Sequence, residues 1–112
     1  MVSVQRDQAV AAAIRALGAT RLTMTLPKLM RWPEFEASDC VGHLYFPPDV
    51  VWFVALKGDL ADFTLGLPHA PRRYHSGFVV VDAATSWPTM LMESPGSAWP
   101  AWFDALPNHP AQ

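Results

Sequence analysis

Two stretches decide how this chain folds: VVWFVALK at residues 50–57 and GFVVVDAATSWPTMLM at residues 77–92. In the first, Trp52, Val54 and Leu56 alternate with Val51, Phe53 and Ala55. Both sets are apolar, so Val50–Lys57 is expected to be a central strand covered on both faces. In the second, Phe78 and Val80 oppose Val79 and Val81 within a strand at Gly77–Asp82. Ala83–Ser86 is then a tight turn, and Trp87–Met92 returns as a fourth strand. Pro88 lacks an amide donor, which places that strand at an edge. Gly58-Asp59 marks the end of the central strand.

Upstream, Val10, Ala13, Ile14 and Leu17 recur at the spacing of one helix face. A helix over Val4–Leu17 follows, with Ser3 as its cap and Gly18 as its left-handed exit. Thr20–Leu26 alternates as a half-buried strand, with Leu22, Met24 and Leu26 on one side. Pro27 ends that strand or makes it an edge. Pro33 opens a short helical turn through Ala37, with Trp32 and Phe35 on its apolar side. Ser38–Asp49 reads as a loop. At the far end, Trp99, Trp102, Phe103 and Leu106 repeat a helical spacing. That tail is expected to dock on the sheet, because each large apolar side chain left in water forgoes roughly 1.5–3 kcal/mol.

The order helix, strand, turn, strand, long loop, hairpin, tail gives an α+β fold. One N-terminal helix packs on an antiparallel sheet of about four strands, followed by a short C-terminal helical tail. A chain of 112 residues is one domain, with an α-β-β-β core at 3–93 and a linker and docking tail at 94–112. Charged residues are 16% of the chain, below the usual quarter, so an apolar surface patch and hence a protein partner or a homodimer is expected. A net charge of −2 argues against nucleic acid. No apolar run is long enough to span a bilayer, and Met1-Val2-Ser3-Val4 does not read as a signal peptide.

The helix opening at Ser3 with Ala9-Val10, Gly18, the strand Val50–Val54 and above all Gly77–Thr85 resemble PepSY-type domains of cystatin-like fold. In that family the last strand runs into a turn where a glycine and an acidic residue follow the threonine. Here Ser86 and Trp87 stand at those two positions. The segments Lys28–Glu36 and Trp99–Pro107 are similar to those of bacterial proteins with this arrangement. The resemblance spans Ser3–Met92 and implies a non-catalytic binding or regulatory module. Peptidase inhibition and an extracytoplasmic place are the roles it suggests, and no catalytic residue comes with it.

Chemistry-bearing residues are few. Cys40 and His43, with His69 and His75, hold metal-ligand types without the spacing of a complete zinc site, and no metal or cofactor is expected. Asp59, Asp62, Asp82 and Glu93 read as loop and turn carboxylates. Phosphate-loop, dinucleotide, zinc-protease and nucleophile-elbow motifs are absent. The expected interface residues are Trp87 beside the hairpin turn, Trp99 and Trp102 in the tail, and His69, Arg72, Arg73 and Tyr74 in the long loop Leu60–Ser76. A different class of function, a small ligand-binding protein or hydrolase of the NTF2-like kind, would need Asp82, His75 or Tyr45 to converge in a pocket inside the curved sheet.

Overall fold

The computed structural model describes residues 3–37, 48–60, 74–94 and 101–109. Helix α1 spans Arg6–Leu17, followed by strand β1 (Thr20–Arg31) and a five-residue helix α2 (Trp32–Glu36). Strands β2 (Val50–Leu60), β3 (Tyr74–Asp82) and β4 (Pro88–Ser94) come next, and a 3-10 turn, Ala101–Ala105, completes the order. The four strands form one antiparallel sheet in the order β1-β2-β3-β4, so each pairs with its neighbour in sequence.

The expected α+β arrangement is therefore what the chain adopts, with adjustments that have physical reasons. α1 begins two residues later than Ser3 capping required. The Ser3 and Val4 amides both donate to Ala83 O, at 3.0 and 2.9 Å, so this segment is tied to the sheet instead of to the helix. Gln5 becomes the cap residue, and its amide donates to Gln8 Oε1 at 2.7 Å. Gly18 takes the left-handed exit at φ 55°.

β1 does not stop at Pro27. An edge strand needs donors only on its inner side, so a proline whose missing N–H would face outward is tolerated there, and β1 runs on to Arg31. Nor does Gly58-Asp59 end β2, which continues through an irregularity to Leu60. The alternation of Leu22, Met24 and Leu26 is broken too. Leu22 packs with the helix-side core and Leu26 with the opposite one. Between the pairs Thr20↔Asp59 and Met24↔Lys57 the register shifts by two residues, and Leu22, which lies inside that irregularity, leaves the alternation.

β2 and β3 are buried on both faces. Trp52, Val54, Leu56, Val79 and Val81 meet Ala9, Ala12, Ala13 and Leu17 of α1. The Trp52 indole N–H donates to Val4 O at 2.9 Å, so the largest ring of this layer has its polar atom satisfied. On the other face Val51, Phe53, Ala55, Phe78 and Val80 meet Trp32 and Phe35 of α2 and Phe103 and Leu106 of the tail. Phe53 is the hub, 4.6 Å from Phe78, 5.7 Å from Phe35 and 5.2 Å from Phe103 between ring centres. The tail thus docks on the sheet, as its spacing implied, but through a 3-10 turn.

Gly77 sits where three elements converge. A Cβ there would lie 2.6 Å from Met92 O and 3.0 and 3.2 Å from the Leu60 and Leu17 Cδ1 atoms. A backbone oxygen cannot swing aside, so Gly77→Ala is expected to destabilise the fold by about 1–3 kcal/mol in chemical denaturation. Ser86 shows the opposite case. It holds φ 66°, a left-handed conformation that strains any residue with a Cβ. Ser86→Gly should raise stability by about 0.5–1 kcal/mol in the same measurement, the relief of strain exceeding the added chain entropy.

Candidate functional site

A four-stranded sheet has two edges, and this chain treats them differently. Between Met24 and Arg31 the β1–β2 register is regular, so alternate residues of β1 turn their backbone groups outward. Leu29 is one of them. Its amide donates to Asn108 Oδ1 at 3.0 Å, and its carbonyl accepts from the His109 amide at 2.8 Å. Two residues on, the Arg31 amide donates to Glu34 Oε1 at 2.9 Å. Two residues back, Pro27 has no donor to offer. From Pro27 to Arg31 the outer side of β1 thus presents no free amide.

The tail that closes it is fastened through side chains as well. Lys28 Nζ donates to Phe103 O at 2.9 Å and to Leu106 O at 3.2 Å, and lies 4.4 Å above the Phe103 ring. The terminal carbonyls of the turn thereby meet a cation, which also stacks on an aromatic face. His109 Nε2 lies 2.9 Å from Glu34 Oε1. The Arg31 amide, and then the His109 ring, hold the Glu34 carboxyl below its usual 4.5.

At the other edge, Asp82 N–H donates to Trp87 O, while the next amide, Ala83 N–H, donates to Val50 O. Even-numbered residues of β3 therefore address β4 and odd-numbered ones address β2. With Val80↔Met90 and Phe78↔Met92 as inward pairs, the backbones of Leu91 and Glu93 turn outward. No described residue bonds to them. Among the described residues, three of the four exposed large apolar side chains lie here, the fourth being Met24 of β1 at 49%. Trp87 is 69% exposed, and Leu91 and Met92 are each 45% exposed. The turn that carries Trp87 is fixed by the Ala84 amide donating to Asp82 Oδ1 at 2.8 Å and by Ser86 N–H donating to Asp82 O. Asp82 is the turn acceptor its position implied.

A second surface lies at the end of the sheet away from Trp87. Three residues of β1, Arg21 to Thr23, stand against Gly58 alone. Arg21 is left-handed at φ 50°, and Gly58 has φ 153°. A Cβ on Gly58 would come within 2.8 Å of Leu22 Cα, so the two backbones interlock. Thr23 Oγ1 donates to Lys57 O at 3.3 Å. An open concavity of about 390 Å³ results, lined by Arg21, Thr23, Lys57, Gly58, Asp59 and His75. The His75 ring nitrogen and the Asp59 carboxylate are 3.8 Å apart, both facing water. The concavity has charge for a small anion but no deeply buried polar group to orient one.

No family model, curated protein or solved structure matches this chain. The site is therefore argued from geometry alone.

Of the residues expected at an interface, the structure places Trp87 on the open edge. Tyr74 begins β3 opposite Leu60, at the end of that strand away from the turn that carries Trp87, so the two do not share a surface. Trp102 lies within the 3-10 turn that docks on the sheet. His69, Arg72, Arg73 and Trp99 fall outside the described residues, as do Cys40, His43 and Tyr45. His75 and Asp82 sit seven residues apart on β3, about 23 Å at strand spacing, and cannot line one pocket. Among the described residues no group of three potential metal ligands is found, and no helix is long and apolar enough to cross a membrane. Leu91 and Met92 were not singled out as surface residues by their pattern, which reads as ordinary strand. Only the pairing order shows that no described strand lies beyond them.

Replacing the Asn108 amide leaves the Leu29 N–H without its partner. Asn108→Ala should speed hydrogen exchange at Leu29 and cost about 1 kcal/mol or less. Glu34 has its folded pKa lowered, so its contribution is present above 4.5 and is lost as pH falls through the folded value. Glu34→Gln should flatten the acid limb of the stability–pH curve, read by thermal melts between pH 3 and pH 7.

Proposed function

We propose that this chain is a non-catalytic protein-binding module that takes up a strand of another polypeptide along the outer side of β4. The observation that carries the reading is the contrast between the edges. An open strand edge is a template for pairing, and proteins that avoid pairing blunt it. This chain blunts β1 with Pro27, Asn108, His109 and Glu34, and leaves apolar side chains on β4. In strand addition the backbone bonds supply affinity, and alternate side chains supply selectivity. Leu91 and Met92 would supply that selectivity here, and Trp87, a residue type favoured at binding hot spots, would anchor the end.

Two features favour a PepSY-like, cystatin-like origin for the module. One helix packs on an antiparallel sheet in the order that resemblance implies. Ser86 also takes a left-handed conformation, one that favours glycine, at the position where the family pattern has glycine. A regulatory role towards a peptidase outside the cytoplasm belongs to this proposal. The filled faces of β2 and β3 fit binding at an edge better than chemistry in an interior.

The test is a photoreactive side chain placed at Leu91 in one variant and at Arg15, on the exposed side of α1, in another. In cells, position 91 should yield discrete adducts with another polypeptide chain, and position 15 should yield none. The reading fails if position 91 forms no adduct, or if both positions give the same set.

A further inference from the structure

We infer that the strand which β4 takes up is β4 of a second copy, in an antiparallel register centred on Leu91. This deepens the strand-addition reading above and rests on it.

The argument starts from symmetry. Two identical strands pairing antiparallel are related by a two-fold axis, so residue i faces residue j and residue j faces residue i. For a fully bonded centre the axis must pass at a residue whose N–H and C=O point outward. Leu91 is such a residue, and it is also the midpoint of Pro88–Ser94. Centring there pairs the whole strand, whereas centring at Glu93 would leave most of it without a partner.

That register sets Leu91 against Leu91 of the second copy, Met90 against Met92, Thr89 against Glu93 and Pro88 against Ser94. Glu93 is the only charged residue of β4, and it faces a threonine and not another Glu93. No like charges meet, and directly opposed like charges would weaken a strand pair. The half-exposed Leu91 side chains meet on the α1 side of the sheet, since Leu91 is in register with Val79 of the helix-side core. Met92 meets Met90 on the other side, in register with Phe78 and Val80 of the aromatic core. The exposed apolar surface on both faces of β4 is thus covered by one pairing. α1 packs mainly over β2 and β3.

Closure follows from the other edge. If β1 were also open, the eight-stranded sheet could add further copies at each end. Pro27, the Leu29–tail bonds and the Arg31–Glu34 bond block it, so assembly ends at two.

The experiment is sedimentation velocity on the purified chain from 1 to 200 µM, with Leu91→Lys and Leu91→Glu variants alone and mixed. The wild type should show a dimer that dissociates at about micromolar concentration, as a modest interface does. Each variant alone should weaken it by roughly tenfold or more, because like charges then face each other across the axis. The equimolar mixture should recover the dimer, because Lys at 91 in one copy faces Glu at 91 in the other. Position 91 is on the surface, so both variants should keep the wild-type circular dichroism. A wild type that stays monomeric throughout overturns the self-pairing and leaves strand addition to the cross-linking result. A dimer indifferent to both variants also overturns the self-pairing, since its interface is elsewhere. A mixture that remains monomeric overturns the register.

Discussion

β2 has apolar side chains on both faces, and a two-sided strand can exist only if each face is covered. That requirement organises the rest of the molecule. α1 supplies small residues, Ala9, Ala12 and Ala13, that let it lie close over Trp52, Val54 and Leu56. Among the described residues the other face has no long helix to cover it. It is sealed instead by Trp32 and Phe35 from a five-residue helix and by Phe103 and Leu106 from the tail, all gathered on Phe53. Short elements have little helical stability of their own, so their side chains must supply it through packing. Aromatic rings are the efficient choice, because each buries a large area from a single backbone position.

The tail therefore has two tasks. Phe103 and Leu106 close the second core, and Asn108 and His109 close the outer edge of β1 a few residues later. Lys28 couples them, since the residue that holds the carbonyls of the turn belongs to β1 itself. The edge and the core share one fastening. Loosening it would expose Leu29 and uncover Phe53 together.

Most of this architecture was legible in the sequence, because the signals were strong where burial is complete. The opposed apolar sets of β2 and β3, the helix face ending at Gly18, and Pro88 at an edge all follow from period and from proline chemistry. What was not legible depends on partners distant in sequence. Ser3 has the chemistry of a cap, but Ala83 captures its amide from eighty residues away. The alternation at Leu22, Met24 and Leu26 looks regular until Gly58 admits an insertion opposite it. The candidate site divides in the same manner. Trp87 could be named from its place beside a turn, whereas Leu91 and Met92 could not. Nothing in their own spacing states that β4 is the last strand.

The two edges also differ in what holds them. No described residue bonds to the outward backbone groups of β4 at Leu91. β1 is closed by specific bonds, and one of them runs through an exposed carboxylate, Glu34, that accepts from the Arg31 amide and lies against His109. Protonating that carboxylate weakens both contacts at once, since the neutral acid is the poorer acceptor. The tail then loses one of its anchors on β1, while Lys28 and Phe103 still hold the turn above it. Acid thus acts on edge closure before it acts on the core.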